Sequence, residues 1–167
     1  MTTLSPERAD LLETLAAHRG FLRQTLDGVT DEQAALRTTA SELCLGGLVK
    51  HVAATEASWI DFIEQGAVTA SGPDDAQARR DEFALLPGET VAGVLEQYAA
   101  VAARTDALVA SLPDLDAAHP LPQAPWFAPG ATRSARRVLF HVIAETAQHA
   151  GHADILRETL DGAKTMG

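Results

Sequence analysis

The sequence predicts an all-α protein, a four-helix bundle built from a single domain over residues 1–167. Three observations carry the prediction. Alanine, leucine and arginine are plentiful while β-branched residues are sparse, which is helical composition. Proline and glycine gather between segments instead of inside them. Four segments carry apolar residues every three or four positions, the period of a helix with one buried face. A chain of 167 residues suits one domain and buries enough apolar surface to fold without covalent staples.

The first helix starts at Ser5-Pro6, where serine can cap free amides and proline is tolerated in the first turn. Its stripe is Leu11, Leu15, Phe21, Leu22 and Leu26, with His18 on the same side, and Asp27-Gly28 ends it. Residues 29–41 form a connection with a short helical piece, because Thr30 and Gln33 have capping-box spacing. The second helix is expected over 42–65 with Ser41 as its cap and Gly66 as its stop. Gly46-Gly47 early in that helix has two readings, close approach of a neighbour or a later helix start. Residues 67–89 read as a polar surface crossover with one helical turn. The third helix spans 91–110 on Val91, Val94, Leu95, Tyr98, Thr105, Leu108 and Val109. Segment 111–130 holds five prolines, which exclude a long helix. Its Trp126 and Phe127 are candidates to pack on the bundle or to border a pocket. The fourth helix covers 132–161, with Val138, Leu139, Val142, Ala147, Ile155, Leu156 and Leu160 as its stripe and Gly162 beyond it.

Composition narrows the function classes. Acidic residues outnumber Lys and Arg by 23 to 13, a formal charge of -10 that repels phosphate backbones, so nucleic acid is not an expected partner. One cysteine excludes an internal disulfide and a thiolate zinc site. The N-terminal residues do not resemble a signal peptide, and no run is long and apolar enough to span a bilayer, so a cytoplasmic protein without membrane association is expected. Homodimerisation is a further expectation, since bundles commonly pair as C₂ dimers. Phosphate-cradling loops, nucleophile elbows and dinucleotide fingerprints are absent from the sequence.

The chemistry-bearing motif is HVIAETAQHAGH, from His141 to His152. At about 100° per residue, Glu145 lies about 40°, His149 about 80° and His152 about 20° from His141. All four share one sector next to the apolar stripe. Glu145 and His149, one turn apart, can close on one divalent ion, and a third ligand must come from another helix. His51, among Leu48, Val52, Thr55 and Trp59, is the candidate. Two imidazoles and one carboxylate suit Zn²⁺, Ni²⁺, Co²⁺, Mn²⁺ or Fe²⁺ and leave coordination positions open. The bland reading of the same residues is a solvated glutamate–histidine pair on a polar helix face. His141 and His152 are candidates for proton relay or for support of the ligands.

The stretch LCLGGLVKHVAATEASWIDF resembles the second-helix signature of DinB-like proteins, and SARRVLFHVIAETAQHAGHADILRE resembles their last long helix. The likeness extends over essentially the whole chain and is closest to the DUF664 branch. That branch is related to mycothiol-dependent maleylpyruvate isomerase and to mycothiol and bacillithiol S-transferases. The resemblance implies an up-down-down-up bundle, often dimeric, with metal ligands at the positions of His51, Glu145 and His149. It implies a divalent metal, usually zinc, that activates a low-molecular-weight thiol toward an electrophile. Glutamate at 145 looks like the isomerase arrangement. Close relatives read Glu-Thr-Ala-Arg-His where this chain has Gln148 before His149, a difference that bears on the substrate more than on the metal. The isomerase's extra C-terminal domain has no counterpart, so isomerisation is not expected. The working function is a metal-dependent thiol S-transferase. The alternatives are a non-catalytic metal- or small-molecule-binding bundle and a metal-dependent hydrolase with His141 or Glu56 as base.

Overall fold

Ser5 opens the bundle by accepting the Arg8 amide, with Pro6 where no intrahelical N–H is needed. The computed structural model describes residues 4–66, 76–125 and 127–165. Helix α1 runs Pro6–Gln24 and the capping box of Thr30 and Gln33 forms α2, Asp31–Ala34. Helix α3, Leu45–Gln65, begins three residues later than the sequence suggests. Ser41 does not cap it; its hydroxyl takes the Leu43 amide in the turn before the helix, and Cys44 stands at the cap position. Gly66 closes α3 in the left-handed region at φ 71°. Helix α4, Ala76–Glu82, is two turns rather than one, and the rest of the expected crossover, 67–75, lies outside the described residues. Thr90 caps α5, Val91–Ser111.

The proline-rich segment holds a strand pair that periodicity did not reveal. Strand β1, Ala118–Pro120, pairs antiparallel with β2, Thr132–Ser134, and His119 stands opposite Arg133. Helix α6, Ala135–Asp161, therefore starts after 132–134, with Ser134 as both the end of the ladder and the helix cap. His119 Nε2 lies 3.1 Å from the Ile63 carbonyl, so the ladder is tied to the end of α3, where carbonyls lack helical partners. Ile155 departs from the expected stripe. It is exposed, while Ala150, Ala153 and Leu156 face inward.

Helix α1 packs on α6, α6 on α3, α3 on α5, and α5 back on α1. Near their starts α1 and α6 are joined by Glu7 and Arg136, and near their ends by Arg157 and the carbonyls of Thr25 and Asp27, so they run the same way. Trp59 meets His141 while His51 meets His149, so α3 runs against α6. Val94 and Tyr98 pack with the start of α3, and Val109 with Ile60 and Ile63 near its end, so α5 follows α3.

The core is divided. One apolar cluster gathers Leu22, Leu48, Val52, Tyr98 and Ala153, and the other gathers Leu15, Ile60, Val109, Val138 and Val142. Between them lies a polar layer of Arg19, Glu56, Thr105 and Thr146, all buried. Arg19 grips the Glu56 carboxylate with two guanidinium nitrogens, Thr105 donates to Glu56, and a third Arg19 nitrogen reaches Asp106 at 2.8 Å. Burial opposes the charge on Arg19, but its bonds to Glu56 and Asp106 prevail and hold its pKa above the ordinary value. The sequence placed His18 on the buried stripe of α1 and offered Glu56 as a base for hydrolysis. In the structure Arg19 takes the inward position and Glu56 is its buried partner.

Both readings of Gly46-Gly47 hold, with one change. The two glycines fall in the first turn of α3, and what approaches them is the segment after α4, not a long helix. A Cβ on Gly47 would lie 2.0 Å from the Phe83 carbonyl oxygen.

Gly47→Ala should therefore destabilise the fold by about 1–3 kcal/mol through overpacking. Gly151→Ala, in α6 with nothing within 4 Å of the added carbon, should stabilise it by about 0.5–1 kcal/mol. Urea unfolding followed by helical circular dichroism checks both signs. Glu56→Ala should cost about 3–5 kcal/mol by leaving Arg19 buried and short of its main partner. Arg19→Met with Glu56→Leu should recover most of that loss in the same assay, and a double variant no better than Glu56→Ala would contradict the electrostatic account.

Candidate metal centre

Helix α3 carries His51 on the side turned to α6, and α6 carries Glu145 and His149 one turn apart on the side turned to α3. One ligand atom from each of the three lies within 4.8 Å of the others. Among the described residues this is the group of three or more histidine, cysteine and carboxylate side chains close enough to hold a metal ion. The side chains are 12 to 29 % exposed, so the group sits at a partly open seam and not in the sealed core.

The donor set fits a divalent cation. His51 Nδ1 lies 3.0 Å from Glu82 Oε1. An ionised carboxylate only accepts, so Nδ1 is the donor nitrogen and the lone pair is on Nε2, which the Thr55 hydroxyl approaches at 3.5 Å. The His51 ring stacks on Phe83 at 3.9 Å between centroids and 25° between planes, which sets its tilt. Phe83 is held in turn against Gly47 at the start of the same helix. His149 meets the His51 ring edge-on at 5.0 Å, and its Nε2 is 3.5 Å from Glu145. Burial pushes the His149 pKa down, and Glu145 opposes it. At neutral pH His149 is therefore an uncharged imidazole, the form that ligates metals.

The two other histidines of the motif flank the group. His141 Nε2 lies 3.6 Å from the second oxygen of Glu145, and its ring meets Trp59 edge-on at 5.0 Å. Burial lowers the His141 pKa against the pull of Glu145, and Arg133 and Arg137 lower it further. His152 Nδ1 approaches His149 Nδ1 at 3.4 Å, on the side of His149 away from Glu145. Phe127 is partly buried against the apolar cluster that contains Trp59, and is linked to the histidines through Arg133 and Trp59. Trp126, the other candidate for a pocket rim, lies outside the described residues.

Glu82 and Phe83 were missed by sequence reasoning. They lie in the polar crossover, 31 and 32 positions from His51, and carry no local signal of what they touch. Glu56 is withdrawn from the site by its ion pair with Arg19, which removes it as a base for hydrolysis. Cys44 is buried, with its sulfur 3.7 Å from the Phe83 carbonyl.

A family model described as Mycothiol-S-transferase matches residues 10–162. A search of curated sequences returns no match. A crystal structure of a conserved protein from Enterococcus faecalis superposes with a TM-score of 0.71 and 16 % identity, covering 96 % of this chain and 100 % of that one. At that identity the likeness speaks for the fold, an all-α DinB-like bundle. The family match spans nearly all the described helices and both halves of the histidine–carboxylate group, so the chain belongs to the mycothiol S-transferase family.

Proposed function

We propose that this protein is a divalent-metal-dependent S-transferase that uses a mycothiol-type thiol, acting through the 1–167 bundle as one unit, with His51, Glu145 and His149 as the metal ligands. The observation that carries the reading is the convergence of those three ligand atoms within 4.8 Å from two different helices. Membership of the family supplies the thiol class.

A zinc-type cation bound there would supply positive charge that favours thiolate over thiol near neutral pH. The remaining work falls to the chain's own groups. Glu82 fixes the tautomer of His51 and Phe83 fixes its tilt. Burial keeps His149 neutral and ready to donate its lone pair. His141, uncharged for the same reason and 3.6 Å from Glu145, is the base that takes the thiol proton. The sulfur pair then forms the new bond to the electrophilic carbon, and the leaving group departs with its own bonding pair. His152 supports His149 from behind.

Elemental mass spectrometry of protein purified without chelator or affinity-tag metal should find one divalent ion per chain. His51→Ala, Glu145→Ala and His149→Ala should each lose it while helical circular dichroism persists. Glu82→Gln should keep the ion but bind it about 10–100-fold more weakly, because the orienting acceptor is weakened. A wild-type protein that takes up no zinc, nickel, manganese or iron would overturn the ligand assignment. Metal-loaded protein given mycothiol and a generic alkylating electrophile should form the thioether faster than metal-free and protein-free controls. His141→Ala should cut that rate about 10²–10⁴-fold at unchanged metal content. Equal rates in all samples would count against transfer of that thiol.

A further inference from the structure

Among the described residues Arg133 pairs with no carboxylate. It stands on β2 and its guanidinium lies 4.9 Å from the Trp59 ring centroid and 5.3 Å from that of Phe127. Its Nη1 is buried and, among the described residues, has no hydrogen-bond partner. No carboxylate pairs with it there, although the chain carries 23 acidic residues against 13 basic ones. The charged group that bears on it is another cation, Arg137. Four arginines elsewhere in the bundle are matched by carboxylates: Arg19 by Glu56, Arg104 by Asp61 and Glu64, Arg136 by Glu7, Arg157 by Asp161. A buried guanidinium nitrogen left unpaired by the protein is costly and calls for an outside acceptor, a water or a ligand oxyanion.

Its position names the ligand's place. Trp59 carries Arg133 over one part of its surface and meets His141 edge-on, and His141 lies 3.6 Å from Glu145. Arg133, Trp59, His141 and Glu145 thus form a continuous line from the cation to the metal-ligand group, and the last two are a quarter or more exposed along it. Trp59 is eight residues beyond His51 on α3, about 12 Å along the helix axis at 1.5 Å per residue.

We propose that Arg133 is the anion-recognition residue of this site, holding a carboxylate of a small molecule whose reactive atom lies roughly 10 Å away at the His51–Glu145–His149 group. The guanidinium lies by the rings of Trp59 and Phe127, and a planar oxyanion is the ligand whose geometry matches its fork of donors. The inference rests on the reading of that group as the reactive centre, but its first test does not.

Octanoate and 1-octanol are titrated into metal-free protein, with binding read by calorimetry and tryptophan fluorescence. Octanoate should bind the wild type about tenfold or more tighter than the alcohol, the range of a charge-assisted hydrogen bond. Arg133→Met should abolish the preference, and Arg133→Lys should keep part of it, since the charge stays while the fork is lost. Equal affinity of acid and alcohol for the wild type overturns the assignment without recourse to any variant. So does a preference that Arg133→Met leaves unchanged. The second arm loads the protein with Co²⁺ and adds 8-mercaptooctanoate or 8-mercapto-1-octanol. A thiolate–cobalt absorption band that forms at lower concentrations of the acid than of the alcohol, and only when Arg133 is present, supports one ligand spanning both points. Carboxylate preference in the first arm with no cobalt band for either thiol upholds Arg133 and overturns the metal reading. A cobalt band equal for both thiols, in wild type and Arg133→Met, upholds the metal and overturns the role of Arg133.

Discussion

Arg19 and Glu56 meet in the interior of the bundle, where neither reaches water, and much of the architecture follows from that contact. A guanidinium gripping a carboxylate through two nitrogens has little rotational freedom, so it fixes the facing of α1 and α3 together. Thr105 and Asp106 bring α5 into the same knot. Apolar contact is non-directional, whereas a guanidinium–carboxylate pair has a narrow geometry in which both groups are satisfied. The layer divides the apolar core into two clusters and holds both at one height along the bundle. His51 lies five residues before Glu56, about 140° around α3. With Glu56 pinned inward, His51 is turned to the seam with α6, where Glu145 and His149 stand.

A second constraint acts at the other end of the His51 side chain. The segment after α4 lies against the first turn of α3 so closely that only glycine fits at 47. The same approach brings Phe83 under the imidazole and Glu82 to its Nδ1. Lys50, one residue before His51, adds to the seat by donating to the carbonyls of Asp81 and Ala84 and pairing with Glu89. A histidine supported on its face and held as donor at Nδ1 presents its lone pair at the other nitrogen in one fixed direction, which is the condition for a well-directed ligand.

The four long helices were legible because each repeats apolar residues at helical spacing with glycine or proline outside it. The shared sector of His141, Glu145, His149 and His152 was legible for the same reason, since all four lie on one helix. What was hidden falls into two kinds. Arg19 and Glu56 look like surface residues in isolation, and only their partner across the bundle makes their burial tolerable. Glu82, Phe83 and Arg133 act through contacts whose separation in sequence is large and whose intervening turns carry no period. The three-residue strands were likewise too short to alternate visibly, and their pairing consumed the first residues assigned to the last helix. The start of α3 was misjudged because Ser41 is a good cap residue used in a turn instead.

The packing of α1 against α6 joins the first long helix to the last, and α6 also carries Glu145 and His149. During synthesis, His51 and its seat on Glu82 and Phe83 are complete well before α6 has left the ribosome. The layer of Arg19, Glu56 and Thr105 can likewise assemble from α1, α3 and α5 alone. Without α6 the other three long helices leave an apolar trough uncovered and His51 as an isolated imidazole. Docking of α6 fills the trough and brings in two donors at once. Assembly of the His51–Glu145–His149 group is thus coupled to closure of the bundle.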